Sequence, residues 1–301
     1  LRNFSARVAE TPFAESTPQL KRGVQRREPS PIGLQMAARE RNNVTVSGDG
    51  ESTIVFAHGF GCDQGMWRFL APKFAEKYRT VLFDLVGSGN SDLTAYDRNK
   101  YDTLEGHADD VLEILEQHAA GPVIFVGHSV SATIGLLADI KRPNRLAAHV
   151  MVSPSPCYID DDDYKGGFTR ADIDGLLATL ESNYLGWSST MAPAIMGADK
   201  PALGQELTNS FCRTDPEIAK HFARVTFLSD ARSLLPNSKV PTLILQCTDD
   251  LIAPVSVGRY MAEKMPNASM VLIDNVGHCP HMSAPSQSTN AIADFLTARN
   301  L

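Results

Sequence analysis

Residues 123–137 read Val-Ile-Phe-Val-Gly-His-Ser-Val-Ser-Ala-Thr-Ile-Gly-Leu-Leu, a passage that leaves the backbone few paths. The four apolar residues at 123–126 have the length and branching of a buried strand, and Gly127 punctuates them. From Ser129 onward the apolar spacing becomes helical. A chain that changes character so abruptly must turn sharply at Ser129, lifting its hydroxyl clear of the backbone. The turn also sets that hydroxyl at a helix N-terminus, where developing negative charge is favoured. Ser129 is therefore a candidate nucleophile.

The surrounding pattern supplies a scaffold. From residue 43 strands and helices alternate. Segments 44–47 and 52–57 read as two strands joined by Gly48-Asp-Gly, a hairpin signal. Residues 66–78 read as a helix and 80–84 as a buried strand. In 102–118, Leu104, Ala108, Val111, Leu112 and Leu115 share one helical face, and Asp102 with Glu105 has capping-box spacing. A strand follows at 147–152. Beyond a long break come a strand at 241–247, a helix at 255–265, a strand at 269–273 and a helix at 286–298. This alternation implies an α/β protein with a mostly parallel sheet covered by helices on both faces.

The break at 154–236 lacks strand patterns and is rich in aromatic residues. A structureless connection of that length is uncommon, so it is expected to be a helical insertion covering Ser129 as a lid. Phe168, Tyr184, Trp187 and Phe227 are its candidate pocket residues. At the other end, residues 1–42 hold eight Lys/Arg against four Glu and no Asp, without periodicity or the apolar stretch of a secretory signal. They are expected to form a disordered tail, with Met36 as the true start. The expected organisation is thus a tail at 1–42, a core at 43–153 and 237–301, and a lid at 154–236.

A serine hydroxyl needs a base for its proton, and the base needs a group that fixes its tautomer. Thr248-Asp249-Asp250 follows the strand ending at Cys247, and His278 follows the strand ending near Ile273. Both fall on loops at the carboxyl edge of the sheet, the edge that carries Ser129. The spacing leaves Asp249 and Asp250 both open as the acid. His58-Gly-Phe-Gly follows another strand, so the Phe60 N–H can join the Val130 N–H as an oxyanion hole. Each such donor is typically worth about 3 kcal/mol of barrier. No cofactor is needed for this chemistry.

From residue 42 onward the chain resembles an α/β-hydrolase of the RsbQ branch, bacterial stress-signalling hydrolases related to plant karrikin and strigolactone receptors. The match is carried by His58-Gly-Phe-Gly-Cys-Asp-Gln, Phe83-Asp-Leu-Val-Gly-Ser-Gly-Asn-Ser-Asp, Gly127-His-Ser-Val-Ser-Ala, Ser153-Pro-Ser-Pro-Cys-Tyr, Phe211-Cys-Arg-Thr-Asp-Pro, Gln246-Cys-Thr-Asp-Asp and Gly277-His-Cys-Pro-His-Met. The resemblance implies the α/β-hydrolase fold and a Ser129, Asp250, His278 triad, since the family acid is the second of the paired aspartates. It also implies a small hydrophobic ester or lactone as ligand. In a signalling role it implies a protein partner, a PAS-type sensor phosphatase. Ser131 stands where the general elbow pattern has glycine, and its small size is expected to preserve function.

Other readings are weaker. A formal charge of −7 argues against a nucleic-acid surface, and no apolar run is long enough to span a membrane. The five scattered cysteines make no disulfide framework and point to the cytoplasm. His278, Cys279 and His281 resemble a metal set, but Pro280 interrupts them and a metal would compete for the imidazole that Ser129 needs, so no metal is expected. Cys279 reads as a small buried hydrophobe. Asp160 to Asp163 reads as a solvated turn, and Gly87-Ser-Gly-Asn-Ser as a tight turn without the lysine of a phosphate loop. His107, His118 and His221 read as surface or edge histidines, and His128 as packing beside the elbow.

Overall fold

The computed structural model describes residues 37–197 and 199–301, so residues 1–36 of the expected tail lie outside the described residues. Residues 37–42 belong to the fold instead. A single helical turn, α1 (Ala38–Arg41), buries Ala38, Arg41 and Asn42. The Arg41 guanidinium lies 3.0 Å from Asp110 and 2.9 Å from Glu113. Asp110, itself buried, also accepts from the Tyr101 hydroxyl at 2.7 Å. A buried carboxylate is tolerable only with such partners, so Arg41 is held by charge where local periodicity gave no sign of structure.

The strands are β1 (Thr45–Ser47), β2 (Thr53–Ala57), β3 (Arg79–Phe83), β4 (Val123–His128), β5 (Leu146–Val152), β6 (Thr242–Asp249) and β7 (Ala268–Val276). They form one sheet in the order β1-β3-β2-β4-β5-β6-β7, parallel except for the antiparallel pair β1 and β3. The expected hairpin of the first two strands is therefore absent: β3 lies between them, and Thr45 pairs with Leu82 and Ser47 with Thr80. Gly48 and Gly50 serve close approach rather than a two-residue turn. A Cβ on Gly50 would run into the Lys77 carbonyl, and one on Gly48 into that of Tyr78.

Side chains alternate between the two faces of the sheet and build two cores. Ile54, Phe56, Ile124 and Val126 join one with Trp67 and Phe295. Val55, Ala57, Val123 and Phe125 join the other with Leu104, Ala108, Val111 and Leu115. That second core receives α3 (Leu104–His118), whose predicted face is the buried one. Its N-cap is Thr103, with no side-chain cap; Glu105 pairs with Lys141 at 2.9 Å instead of closing a box with Asp102. The helix expected at 66–78 is split into a 3-10 turn at Gln64–Trp67 and α2 (Ala71–Phe74), because Pro72 can start a helix but not continue one.

Between β4 and β5 runs α4 (Val130–Lys141). Between β5 and β6 the chain forms α5 (Arg170–Ser182), α6 (Tyr184–Met196), α7 (Pro201–Arg213) and α8 (Pro216–Phe227). Their ends are fixed locally: Thr169 and Asp172 make a reciprocal capping box, and Asp215 accepts from the Glu217 and Ile218 amides. After β6 come α9 (Val255–Lys264), α10 (Pro280–Ser283) and α11 (Pro285–Thr297). No described helix is long and apolar enough to cross a membrane.

Candidate active site

Ser129 occupies φ 54, ψ −122, a region that L-residues avoid, between β4 and α4. The surroundings over-determine that conformation. Its N–H donates to the Val152 carbonyl at 2.8 Å. At Gly127 an added Cβ would stand 2.5 Å from the Ser131 carbonyl oxygen, so only glycine lets α4 return this closely over β4. Ser131 is fully buried, and its hydroxyl donates to the His58 carbonyl at 2.5 Å. The residue that departs from the usual glycine thus ties the elbow to the loop after β2.

That loop is held rigidly. The His58 Nε2 accepts from the Leu85 N–H at 3.0 Å, which leaves Nδ1–H to donate to the Gly59 carbonyl at 2.9 Å. Asp84, also buried, accepts from the Gln64 N–H at 2.8 Å, the Asn90 N–H at 2.9 Å and the Asn43 side chain at 2.7 Å. Neither the Phe60 nor the Val130 N–H has a protein acceptor among the described residues. Both follow the ends of adjacent parallel strands, β2 and β4.

The loops after β6 and β7 bring the remaining groups in. The Ser129 hydroxyl lies 2.8 Å from His278 Nε2, and His278 Nδ1 lies 2.8 Å from Asp250 Oδ2. Asp250 is buried, and its Oδ1 accepts from the Ile252 and Ala253 amides at 2.8 and 3.1 Å. Asp249 is exposed and makes no such contact. Of the two aspartates that spacing left open, only Asp250 reaches the imidazole. A relay of this shape can take a proton from a hydroxyl and hold the resulting imidazolium.

Two features of the relay were not legible in the sequence. The His278 N–H donates to the Ile195 carbonyl, at the end of α6, at 2.7 Å. His128, read as packing, also makes a polar contact, with Nε2 3.0 Å from the His278 carbonyl; that acceptor requires the proton on Nε2. Its ring centroid stands 5.0 Å from that of His278 and 4.5 Å from that of His281. Burial holds His128 well below the ordinary histidine value and pushes His281 down to about 3, so both stay neutral beside His278. Burial also raises the Cys62 and Cys279 thiols, which remain protonated.

A narrow cavity opens onto the Ser129 hydroxyl, with about 30 Å³ of room for water-sized occupants. Trp187 and Phe227 of the insertion line it with Phe60. Phe168 and Tyr184 do not. The Phe168 backbone is bonded to Tyr158 and Asp160 ahead of α5. Tyr184 stacks behind Trp187, and its hydroxyl donates to the Phe211 carbonyl at 2.7 Å, tying α6 to α7. Tyr158, Phe211 and Thr226 are among the lining residues that the candidate pocket set omitted. Each of these helices buries one face and exposes the other, and the buried face holds wall and backing residues alike, so apolar spacing could not tell them apart.

His107 also differs from its reading. It is fully buried and stacked on Tyr101 at 4.5 Å. Burial pushes His107, His149 and His281 down to about 3. Their folded-state values lie below that of the unfolded chain, so unfolding takes up protons below about pH 6.5. Stability is then fully present above about pH 6.5 and is lost as the pH falls, by roughly 1.4 kcal/mol per unit for each such histidine. Urea titrations at pH 7.5 and 5.5 should show a markedly lower midpoint in acid; a midpoint that does not fall would contradict this.

Residues 54–292 match the model of the Alpha/beta hydrolase family. The karrikin insensitive 2 receptor CA of Petunia hybrida is 42% identical over 248 residues, covering 82% of this chain and 92% of the receptor. Strigolactone esterase D14 of Arabidopsis thaliana is 37% identical over 258 residues, covering 85% of this chain and 95% of the esterase. Among solved structures, a hydrolase from Oleispira antarctica superposes with a TM-score of 0.84 at 44% identity, over 86% of this chain and 96% of that one. Sheet order, elbow and sequence match agree, and the chain belongs to the alpha/beta hydrolase family.

Proposed function

We propose that the protein is a serine hydrolase that cleaves small, apolar carboxylic esters or lactones through a Ser129, His278, Asp250 triad. The observation that carries this reading is the continuous relay, 2.8 Å at each step, ending on a hydroxyl that faces an apolar cavity. Ser129 attacks the carbonyl carbon while His278 Nε2 removes its proton. The Phe60 and Val130 N–H groups receive the oxyanion. His278 then protonates the departing alkoxide, leaving an acyl-enzyme, and activates water to free the acid. Asp250 holds the tautomer and balances the imidazolium. No cofactor takes part, and the free cysteines suit a reducing cytoplasm. A fluorophosphonate probe should form one adduct, on Ser129, with matching loss of esterase activity. An adduct at another residue, or full activity after labelling, would rule the reading out.

A second reading is favoured by the cavity itself: a ligand-sensing module of the RsbQ kind. About 30 Å³ holds a water or two, so a larger ligand enters only if the wall built by α6–α8 moves as a lid. The outer surface of those helices would then present a ligand-dependent face to a partner such as a PAS-type sensor phosphatase. Relatives named as receptors and as esterases are consistent with both roles. Slow turnover, with altered hydrogen exchange in 170–227 on ligand addition, favours sensing. Fast turnover with unchanged exchange there excludes it.

A further inference from the structure

We propose that Thr226 determines substrate specificity by donating its hydroxyl to a second oxygen of the ligand, set apart from the scissile carbonyl. The inference deepens the serine-hydrolase reading and rests on it. The ligand class it names is an ester or lactone that carries an additional ether, ring or carbonyl oxygen.

Thr226 sits in the last turn of α8, is 1% exposed and lines the cavity in front of Ser129. Its Oγ1 is buried and has no hydrogen-bond partner among the described residues. A helical threonine normally avoids that state by donating to the carbonyl four residues back. The neighbouring helices do this repeatedly: Thr179 donates to Gly175 at 2.8 Å, Ser188 to Tyr184 at 2.7 Å and Thr208 to Gly204 at 2.9 Å. Thr226 does not use its own equivalent, Phe222. Its hydroxyl is left unspent on a residue of the cavity wall, among groups such as Phe60 and Phe227.

A second unpartnered donor stands in the same wall. Trp187 lines the cavity, and its Nε1–H is likewise buried without an acceptor. Buried polar groups in folded proteins are nearly always satisfied, so two idle donors around one cavity call for an acceptor that the described residues do not supply. A purely hydrocarbon ligand would seal both off from water and leave them unmet. A site built to hydrogen-bond a group discriminates strongly against the analogue that lacks it.

The test uses p-nitrophenyl esters in matched pairs, each an alkanoate and its oxa analogue with one CH2 replaced by oxygen, stepped along the acyl chain. Intrinsic reactivity changes with oxygen position, so each oxa-to-alkyl ratio of kcat/KM is divided by the same ratio in Thr226→Val, which cancels it. At one position at least, the quotient should be tenfold or more, carried by KM, and Thr226→Ser should retain it. Calorimetric binding of the same pairs to Ser129→Ala, with and without Thr226→Val, reads the subsite without turnover. Binding preference without hydrolysis by the wild type keeps the subsite and sinks the hydrolase reading. Hydrolysis with quotients within threefold of one at every position keeps the hydrolase and overturns the subsite, as would be found if a bound water satisfied Thr226.

Discussion

Replacing Ser129 by alanine should lower kcat for a p-nitrophenyl acyl ester by about five to six orders of magnitude, with KM little changed. Among the described residues the hydroxyl is the nucleophile that the base reaches, 2.8 Å away. His278→Ala should cost about as much alone, and the double variant little more, because members of one relay fail together. The residue left over, on the order of 10³ above water, belongs to the Phe60 and Val130 donors and to binding. Comparing the single and double variants on one ester checks this. Turnover within tenfold of wild type in either single variant would refute the mechanism.

The second large effect separates two adjacent aspartates. Asp250→Asn should lower kcat by roughly 10⁴. Asp250 Oδ1 already accepts from the Ile252 and Ala253 amides, so the asparagine oxygen must stay there. Its NH2 then takes the place of Oδ2 and donates to His278 Nδ1. That forces the ring proton onto Nε2, the nitrogen that must accept from Ser129. Asp249→Asn, at an exposed carboxylate, should stay within threefold of wild type. The same ester assay on both variants decides it, and equal losses would be incompatible with the geometry.

That pair also shows how far the sequence could be read. Strand-end positions put Ser129, Asp250 and His278 on one edge because parallel strands all end there. Whether residue 249 or 250 turns inward depends on the path of the loop after β6, which no periodicity records. The strands at 44–47 and 52–57 were visible but not their partner: Gly48-Asp-Gly carries the local signature of a turn, whereas β1 pairs with β3, a contact distant in the chain. Arg41 and Asn42 looked like tail for the same reason, since their partners are Asp110 and Asp84, far along the chain. Thr226 was invisible, because nothing local marks a threonine that declines its helix carbonyl.

If α6 moves as part of the proposed lid, the bond from the His278 amide to the Ile195 carbonyl would couple admission to readiness. Any motion that withdraws the end of α6 from the cavity also unfastens the loop bearing the imidazole. A net hydrogen bond is worth about 1 kcal/mol, small enough for an arriving molecule to repay. A half-open state would therefore carry a loosened proton acceptor, tightened again only when the gate shuts.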